Sequence, residues 1–146
     1  MQSNDNSRTN QTVTKQINVA LLRSLNKKEA RLLLNYQGEV EEIAPGPRVF
    51  VVGRGRNCDL VVDDEFSSRQ HARFVYRKGK FVLIDHSTNG TFVRIKEETE
   101  VCLVEQEQLP LIGSGVIGLG RTTAEYDNHL IQFYCYYPAN NPQEML

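Results

Sequence analysis

Short apolar runs separated by small polar residues set the pattern of this chain from about residue 30 onward. Many of the runs alternate apolar and polar positions, and Gly, Pro, Asn, Asp and Ser occupy the breaks between them. This spacing is typical of strands joined by turns, because a helix needs a longer run with a 3.6-residue period. It predicts strands at residues 31–36, 39–44, 49–52, 60–62, 72–77, 80–85, 92–95, 101–104, 109–112, 115–119 and 130–137. We therefore expect an all-β fold, an antiparallel β-sandwich of two twisted sheets.

Turn residues and alternation refine this prediction. Gly-containing or charged pairs predict turns at residues 37–38, 78–79, 96–97 and 113–114. Within a strand, side chains point alternately to the two faces, so residues two apart share a face. This rule predicts that one set of apolar side chains faces the core: Ala72, Phe74, Phe81, Leu83, Ile131 and Phe133.

Both ends of the chain break the strand pattern. Residues 1–14 are mostly Asn, Gln, Ser and Thr, a composition typical of disorder. Residues 13–28 carry apolar side chains at helical spacing, which fits either a short helix or a linker that frays in solution. We accordingly divide the chain into a disordered or partly helical segment at 1–28, a β domain at 29–138 and a tail at 139–146.

Length and charge narrow the function classes. A chain of 146 residues is long enough for one domain with a proper core. A formal net charge of −1 argues against bulk electrostatic binding to nucleic acid or to a membrane. Three scattered cysteines, Cys58, Cys102 and Cys135, are too few for a disulfide framework or a zinc site. We expect reduced thiols in a cytoplasmic protein that uses no metal and no cofactor.

Three polar clusters stand at the ends of predicted strands, at residues 53–59 (GRGRNCD), 67–72 (SSRQHA) and 85–93 (DHSTNGTFV). If the three loops share one end of the sheets, they gather Arg54, Ser68, Arg69, Thr88 and Asn89. This set offers two cations, two hydroxyls and an amide, without a general base or a metal ligand. Such a set is suited to grip an anion rather than to do chemistry on it.

The order and spacing of residues 53–54, 68–72 and 87–91 resemble the signature of the forkhead-associated (FHA) domain. The resemblance covers roughly residues 30–137, most of the chain. It implies a β-sandwich that binds phosphothreonine peptides. The implied role is a non-enzymatic signalling adaptor downstream of Ser/Thr kinases, whose partner is a phosphothreonine-containing protein, such as a Ser/Thr kinase or its substrate. A narrower resemblance points to bacterial FHA modules attached to nucleotide cyclases.

The resemblance assigns the phosphothreonine-binding residues. Arg54 matches the main phosphate ligand, and its planar fork can make two charge-assisted hydrogen bonds. Ser68 and Thr88 match positions that add donors to the phosphate. Asn89 matches the residue whose amide holds the peptide backbone. Arg69 could reach the phosphate through its backbone amide or its guanidinium, and a solvated charge at the rim is the alternative.

The resemblance also assigns structural support to Gly53, His71 and Gly90. We reject the hypothesis that Ser68 and His71 form a catalytic nucleophile and base, because no acid is placed to orient the imidazole and no oxyanion hole is evident. Two departures from the family pattern affect the loops. The segment 85–87 is one residue shorter than the commoner form, and Ser67 stands where an apolar residue is usual.

Other functions remain open from the sequence. The same fold could serve as a phospho-independent interaction module that uses another face, or as the regulatory domain of a larger, cyclase-like signalling protein. An enzyme using Ser68 or a cysteine is a remote third class. The acidic run at residues 63–65 predicts tolerance for a basic residue in the bound peptide.

Overall fold

The computed structural model describes residues 29–138, and every regular element in this range is a strand. The strands are β1 (Arg31–Tyr36), β2 (Glu39–Ile43), β3 (Phe50–Gly53), β4 (Leu60–Val61), β5 (Ala72–Arg77), β6 (Lys80–Asp85), β7 (Thr91–Ile95), β8 (Val101–Leu103), β9 (Gln108–Pro110), β10 (Gly113–Leu119) and β11 (Ile131–Tyr136). They form a six-stranded sheet in the order β2-β1-β11-β10-β7-β8 and a five-stranded sheet in the order β4-β3-β5-β6-β9. The all-β prediction is confirmed.

Two tight hairpins follow directly from local sequence. Gln37 and Gly38 join β1 to β2 with φ values of 52° and 88°, and Lys78 and Gly79 join β5 to β6 with 51° and 78°. Positive φ at both central residues matches the twist of the flanking strands. Glycine at the second position adopts this backbone without a steric penalty. The predicted turns at 37–38 and 78–79 are therefore confirmed.

One apolar core lies between the two sheets. Leu32 and Phe133 from the six-stranded sheet cluster with Phe74 and Phe81 from the five-stranded sheet, and none is more than 1% exposed. The predicted core-facing residues are all buried. Removing a buried phenylalanine side chain typically costs about 3–5 kcal/mol, so these contacts hold the two sheets together.

Two strand predictions differ from the structure. Gly113 and Ser114 were predicted as a turn, but they begin β10 and pair with Cys135 and Tyr134 of β11. That prediction is wrong because glycine favours turns locally, whereas here Gly113 pairs with a residue of β11 and belongs to the sheet. The strand expected at 109–112 lies at Gln108–Pro110, and Ile112 is 54% exposed.

The antiparallel pattern has one exception. β3 and β4 pair in parallel, with Val52 opposite Leu60 and Gly53 opposite Val61. The chain must therefore leave β3, cross a loop and return in the same direction. As a result the loop at 54–59 stands beyond the end of the sheet rather than folding back as a hairpin.

The strand register brings the three polar clusters to one end of the sandwich. Ala72 at the start of β5 pairs both with Val52 near the end of β3 and with Asp85 at the end of β6. The loops at 54–59, 62–71 and 86–90 therefore lie at the same end of the sandwich. We call them the first, second and third site loops. Within residues 29–138 no helix could serve as a membrane-spanning segment.

Candidate functional site

The backbone holds the first two site loops together. The amide of Arg54 donates to the carbonyl of Ser68 at 2.9 Å, and the amide of Gly55 donates to the carbonyl of Arg69 at 3.0 Å. The amide of His71 donates to the carbonyl of Val52 at 2.9 Å. These bonds extend the β3–β5 pairing past the ends of both strands. Arg54 and Ser68, predicted from separate motifs, are thus direct backbone neighbours.

Gly53 makes this close approach possible. A Cβ atom at Gly53 would lie 2.3 Å from the carbonyl oxygen of Arg69 and 2.7 Å from that of Ser68. Both are backbone atoms that cannot swing aside as a side chain could. Any side chain at this position would push the second site loop away from Arg54, so glycine here is a steric requirement.

Side chains join the second and third site loops. The amide of Thr88 donates to Oγ of Ser68 at 3.2 Å, and Nδ2 of Asn89 donates to the carbonyl of Phe66 at 3.2 Å. Because Oγ of Ser68 accepts from Thr88, its own proton remains available to donate elsewhere. The structure therefore brings together Arg54, Ser68, Thr88 and Asn89 as the sequence predicted, with Arg69 on the adjoining turn.

His71 is fully buried beneath these loops. Its Nδ1 accepts a hydrogen bond from the amide of Ser68 at 2.9 Å, so we place the proton on Nε2, which donates to the carbonyl of Gly90 at 2.8 Å. Burial lowers the pKa of His71, although the Gly90 carbonyl and the nearby Asp85 act in the opposite direction. The neutral ring thus links the second and third site loops. Neither ring nitrogen bonds to the Ser68 hydroxyl.

A second buried group, which sequence reasoning missed, frames the third site loop. Asp85 is 0% exposed, and its Oδ1 accepts from Oγ of Ser87 at 2.5 Å and from Oγ1 of Thr91 at 2.7 Å. Oγ of Ser87 in turn accepts from the amide of Gly90 at 2.8 Å. This network closes the short loop around Thr88. The family motif includes Ser87, but nothing local in the sequence indicated that Asp85 would be its partner.

Gly90 occupies a position with little room. Its φ is +92°, and a Cβ atom there would lie 2.7 Å from Sγ of Cys102. Both the backbone conformation and the space favour glycine. The carbonyl of Gly90 also accepts from His71, so this residue ties the third site loop to the buried histidine.

In the acidic run at 63–65, Asp64 is paired inside the protein, whereas Asp63 and Glu65 are exposed. Asp64 is 6% exposed, and both its oxygens accept from Arg121, at 2.8 and 3.0 Å. Hydrogen bonding from Arg121 keeps the pKa of Asp64 below its usual value, despite the opposing effect of burial. The guanidinium of Arg121 also lies 4.7 Å from the ring centre of Phe66. Asp64 is therefore not available to a basic ligand residue and anchors the second site loop instead. The prediction that this run accepts a basic residue stays a prediction for Asp63 and Glu65.

Arginine side chains line a groove beside the site. Arg54, Arg56 and Arg69 are exposed and line a groove of about 590 Å³ together with Val51, Gly55, Asn57, Cys58 and Gln70. None of the three guanidinium groups has a hydrogen-bond or ion-pair partner among residues 29–138. This groove, which adjoins the site at Arg54 and Arg69, is consequently positive and open to an anionic ligand.

The cysteines take part in packing and hydrogen bonding only. Cys58, Cys102 and Cys135 are free thiols, and Sγ of Cys58 donates to the carbonyl of Arg69 at 2.9 Å. In the described part of the chain no group of three His, Cys, Asp or Glu side chains could hold a metal ion. Burial raises the pKa of Cys58, so its thiol stays protonated near neutral pH.

Comparison with known proteins places this geometry in a family. Residues 50–109 match the model of the FHA domain. A search of curated protein sequences gave no significant match. The match includes the first and second site loops, the Asp85 network and the whole third site loop.

Solved structures share the fold. The FHA-1 domain of Mycobacterium tuberculosis Rv1747 is 21% identical, with a TM-score of 0.57 over 73% of this chain and 97% of that one. The FHA domain of an Arabidopsis thaliana hypothetical protein is also 21% identical, with a TM-score of 0.57 over 78% and 91%. The MEK1 FHA domain, solved in complex with the HOP1 pThr318 peptide, is 20% identical, with a TM-score of 0.53 over 75% and 97%. Residues 50–109 thus match the FHA domain model, and the sheet order and these neighbours show that the described chain has the FHA fold.

Proposed function

We propose that this chain binds phosphothreonine in a partner protein and acts as a signalling adaptor downstream of a Ser/Thr kinase. The observation that carries the proposal is the exposed guanidinium of Arg54. It has no partner within residues 29–138, although its backbone is fixed against the second site loop. A cation that is held in place but left without an internal counterion is suited to an external anion.

The surrounding donors suit a phosphate group. A phosphothreonine carries nearly two negative charges at neutral pH and three acceptor oxygens. Arg54 would engage two of these oxygens through its planar fork, and the free hydroxyl proton of Ser68 would serve a third. Thr88 and Arg69 flank this position and would add donors from a hydroxyl, a guanidinium or backbone amides.

Asn89 would hold the peptide rather than the phosphate. One N–H of its amide is used to bond the carbonyl of Phe66, which orients the side chain at the rim. The second N–H and the amide oxygen can then pair with a peptide backbone. Such contacts would fix an extended segment without reading its side chains.

The site geometry favours binding over catalysis. His71, the only histidine in the motif, uses Nδ1 for the amide of Ser68 and Nε2 for the carbonyl of Gly90, so it has no lone pair to activate the Ser68 hydroxyl. The MEK1 neighbour, which binds a phosphothreonine peptide, supports the same class of ligand. A cytoplasmic location, a bacterial origin and a link to nucleotide cyclases remain predictions from the sequence.

The proposal is tested with three matched peptide libraries, each with one fixed central residue: phosphothreonine, phosphoserine or threonine. We expect binding to the phosphothreonine set and no measurable binding to the threonine set. The phosphoserine set should bind about fivefold more weakly, because burying the extra methyl group is worth about 0.8 kcal/mol and an empty niche loses further contacts. Equal binding of phosphorylated and unphosphorylated sets would instead support the phospho-independent module. Equal binding of the two phosphorylated sets would leave a general phosphate clamp.

A further inference from the structure

Most arginines in the described part of the chain are occupied by partners inside the protein. The five with hydrogen-bond or ion-pair partners are Arg31, Arg48, Arg77, Arg94 and Arg121. The four without such a partner are Arg54, Arg56, Arg69 and Arg73. These four free arginines all lie in or beside one region of the surface.

That place is the groove next to the proposed phosphate site. Arg54, Arg56 and Arg69 line it directly. Arg73 pairs with Val51 in the β3–β5 register, and Val51 also lines the groove. Residues directly opposite in a sheet share a face, so Arg73 stands on the same side. No Asp or Glu lines the groove.

The acid that follows the groove residues in the sequence does not neutralise this charge. Asp59 ends the first site loop, but Oδ1 of its carboxylate accepts from Arg48 at 2.7 Å, and Oδ2 accepts from the amide of Val51 at 2.8 Å. Burial tends to raise the pKa of Asp59, but the hydrogen bonds from Val51 and Arg48 prevail and lower it. The carboxylate of Asp59 is thus already paired with Arg48 and the amide of Val51.

The loop that carries Arg56 is held in a defined shape. The amide of Gly55 donates to the carbonyl of Arg69, the amide of Cys58 donates to the carbonyl of Gly55 at 3.1 Å, and Sγ of Cys58 also reaches the Arg69 carbonyl. Arg56 lies between these tethers, two residues beyond Arg54. The backbone positions that carry the two cations are therefore set by the loop before any ligand binds.

A single phosphate does not account for this arrangement. Arg54 with the hydroxyl groups of the second and third site loops already suits one phosphate, whereas the groove of about 590 Å³ is also lined by Arg56. We propose that this groove binds a second anionic group on the same peptide, at a fixed distance from the phosphothreonine. The group is a second phosphate or an acidic side chain, and the inference rests on the proposed phosphothreonine binding.

The test uses phosphothreonine peptides that differ only in one flanking position. The parent peptide has neutral flanks, and the series places aspartate or a second phosphorylated residue at each position within four residues on either side. Calorimetry should show a gain of about fivefold or more at one preferred spacing, the upper range for an exposed ion pair. The gain should shrink as salt is raised. The aspartate and phosphate arms distinguish an acidic flank from a doubly phosphorylated ligand.

Two arginine variants test whether the gain in affinity depends on Arg56. In Arg56→Gln the gain from the second anionic group should fall below twofold, while binding of the parent peptide stays within twofold of the unaltered protein. Arg77→Gln is the matched control, because Arg77 is an exposed arginine at the opposite end of β5 from the site loops. It should leave both the parent affinity and the gain unchanged.

The outcomes separate this inference from the proposed function. If the parent peptide binds but no spacing gives a gain, or if the gain survives Arg56→Gln, the groove proposal is overturned and phosphothreonine binding stands. If neither the parent nor any doubly anionic peptide binds, both proposals fall. A single-stranded oligonucleotide that displaced the acidic peptide at equal charge concentration would also overturn the groove proposal, since it would show a general polyanion surface.

Discussion

Two buried polar residues, His71 and Asp85, hold the proposed binding side chains in position without facing the proposed ligand site. His71 joins the second and third site loops through both ring nitrogens, and Asp85 closes the third site loop through Ser87 and Thr91. Both are 0% exposed. Arg54, by contrast, is exposed and contributes nothing visible to the core. At the scale of single residues, support and recognition are therefore carried by different side chains.

The buried His71 predicts a pH-dependent stability. Its pKa is lowered in the folded protein by burial, so acid protonates the unfolded chain first. The stabilisation is fully present above about pH 6.5, the ordinary value for histidine, and is lost as the pH falls from there towards the lowered folded value. We expect the free energy of unfolding to drop between about pH 7.5 and 5.5. Urea denaturation without peptide would measure it.

Two histidine variants make that test specific. His71→Gln keeps donor and acceptor groups but does not titrate, so the drop over this pH range should disappear. His86→Gln changes an exposed histidine and should retain it. An unchanged pH dependence in His71→Gln would show that another group is responsible. Loss of peptide binding below about pH 6 is a separate effect, because the phosphate itself then takes up a proton.

Among the elements, the three site loops matter as a set of contacts rather than as separate motifs. The first loop is bonded to the second through Arg54 and Gly55, and the second to the third through Ser68, His71 and Asn89. A shift of one loop would therefore move the proposed binding residues carried by the other loops.

Gly53 is the position where this coupling is most open to test. In Gly53→Ala the new methyl group would clash with the Ser68 and Arg69 carbonyls, which overpacks the β3–β5 junction. We expect a loss of roughly 1–3 kcal/mol of stability and at least tenfold weaker phosphopeptide binding. Thermal unfolding and calorimetry would measure the two effects.

The matched control is Gly79→Ala. A Cβ atom at Gly79 meets nothing within 4 Å, but φ is +78°, so the substitution strains the backbone of a distant hairpin. We expect a stability loss of about 1–2 kcal/mol without any change in affinity. If Gly53→Ala retained full affinity, the close packing of the first two loops would not be what positions Arg54.

Strands and loops differed in how well the sequence predicted them. Hairpins whose turn residues are adjacent, such as 37–38 and 78–79, were predicted because local backbone preference decides them. The segment from 108 to 114 was misplaced because its pairing depends on β6 and β11, which lie far away along the chain. Predictions for residues 1–28 and 139–146 lie outside the described residues.

The same distinction applies to the site. Arg54, Ser68 and Asn89 could be predicted to lie together because each stands in a motif at a strand end. The Arg121–Asp64 pair joins residues 57 positions apart, so no local pattern could reveal it. Before the fold was known, the run at 63–65 could only be interpreted as an exposed acidic surface.

For the whole molecule, the formal net charge of −1 conceals a strongly divided surface. Two acidic groups near the site, Asp59 and Asp64, are paired with Arg48 and Arg121, whereas the arginines of the groove are left free. A nearly neutral protein can thus hold a local positive field that attracts an anionic peptide. The net charge argues against bulk polyanion binding, but it could not locate this field.

The most direct test of the account is calorimetry of one phosphothreonine peptide, the tightest binder from the library, against the unaltered protein, Arg54→Ala, Arg54→Lys and Arg77→Ala. Arg54→Ala should lose roughly 2–5 kcal/mol of binding free energy if the complex desolvates the charge pair, with its melting temperature unchanged. Arg54→Lys should also bind poorly, because it keeps the charge but lacks the fork. Arg77→Ala should bind normally. Binding by Arg54→Ala within twofold of the unaltered protein would contradict the assignment of this site.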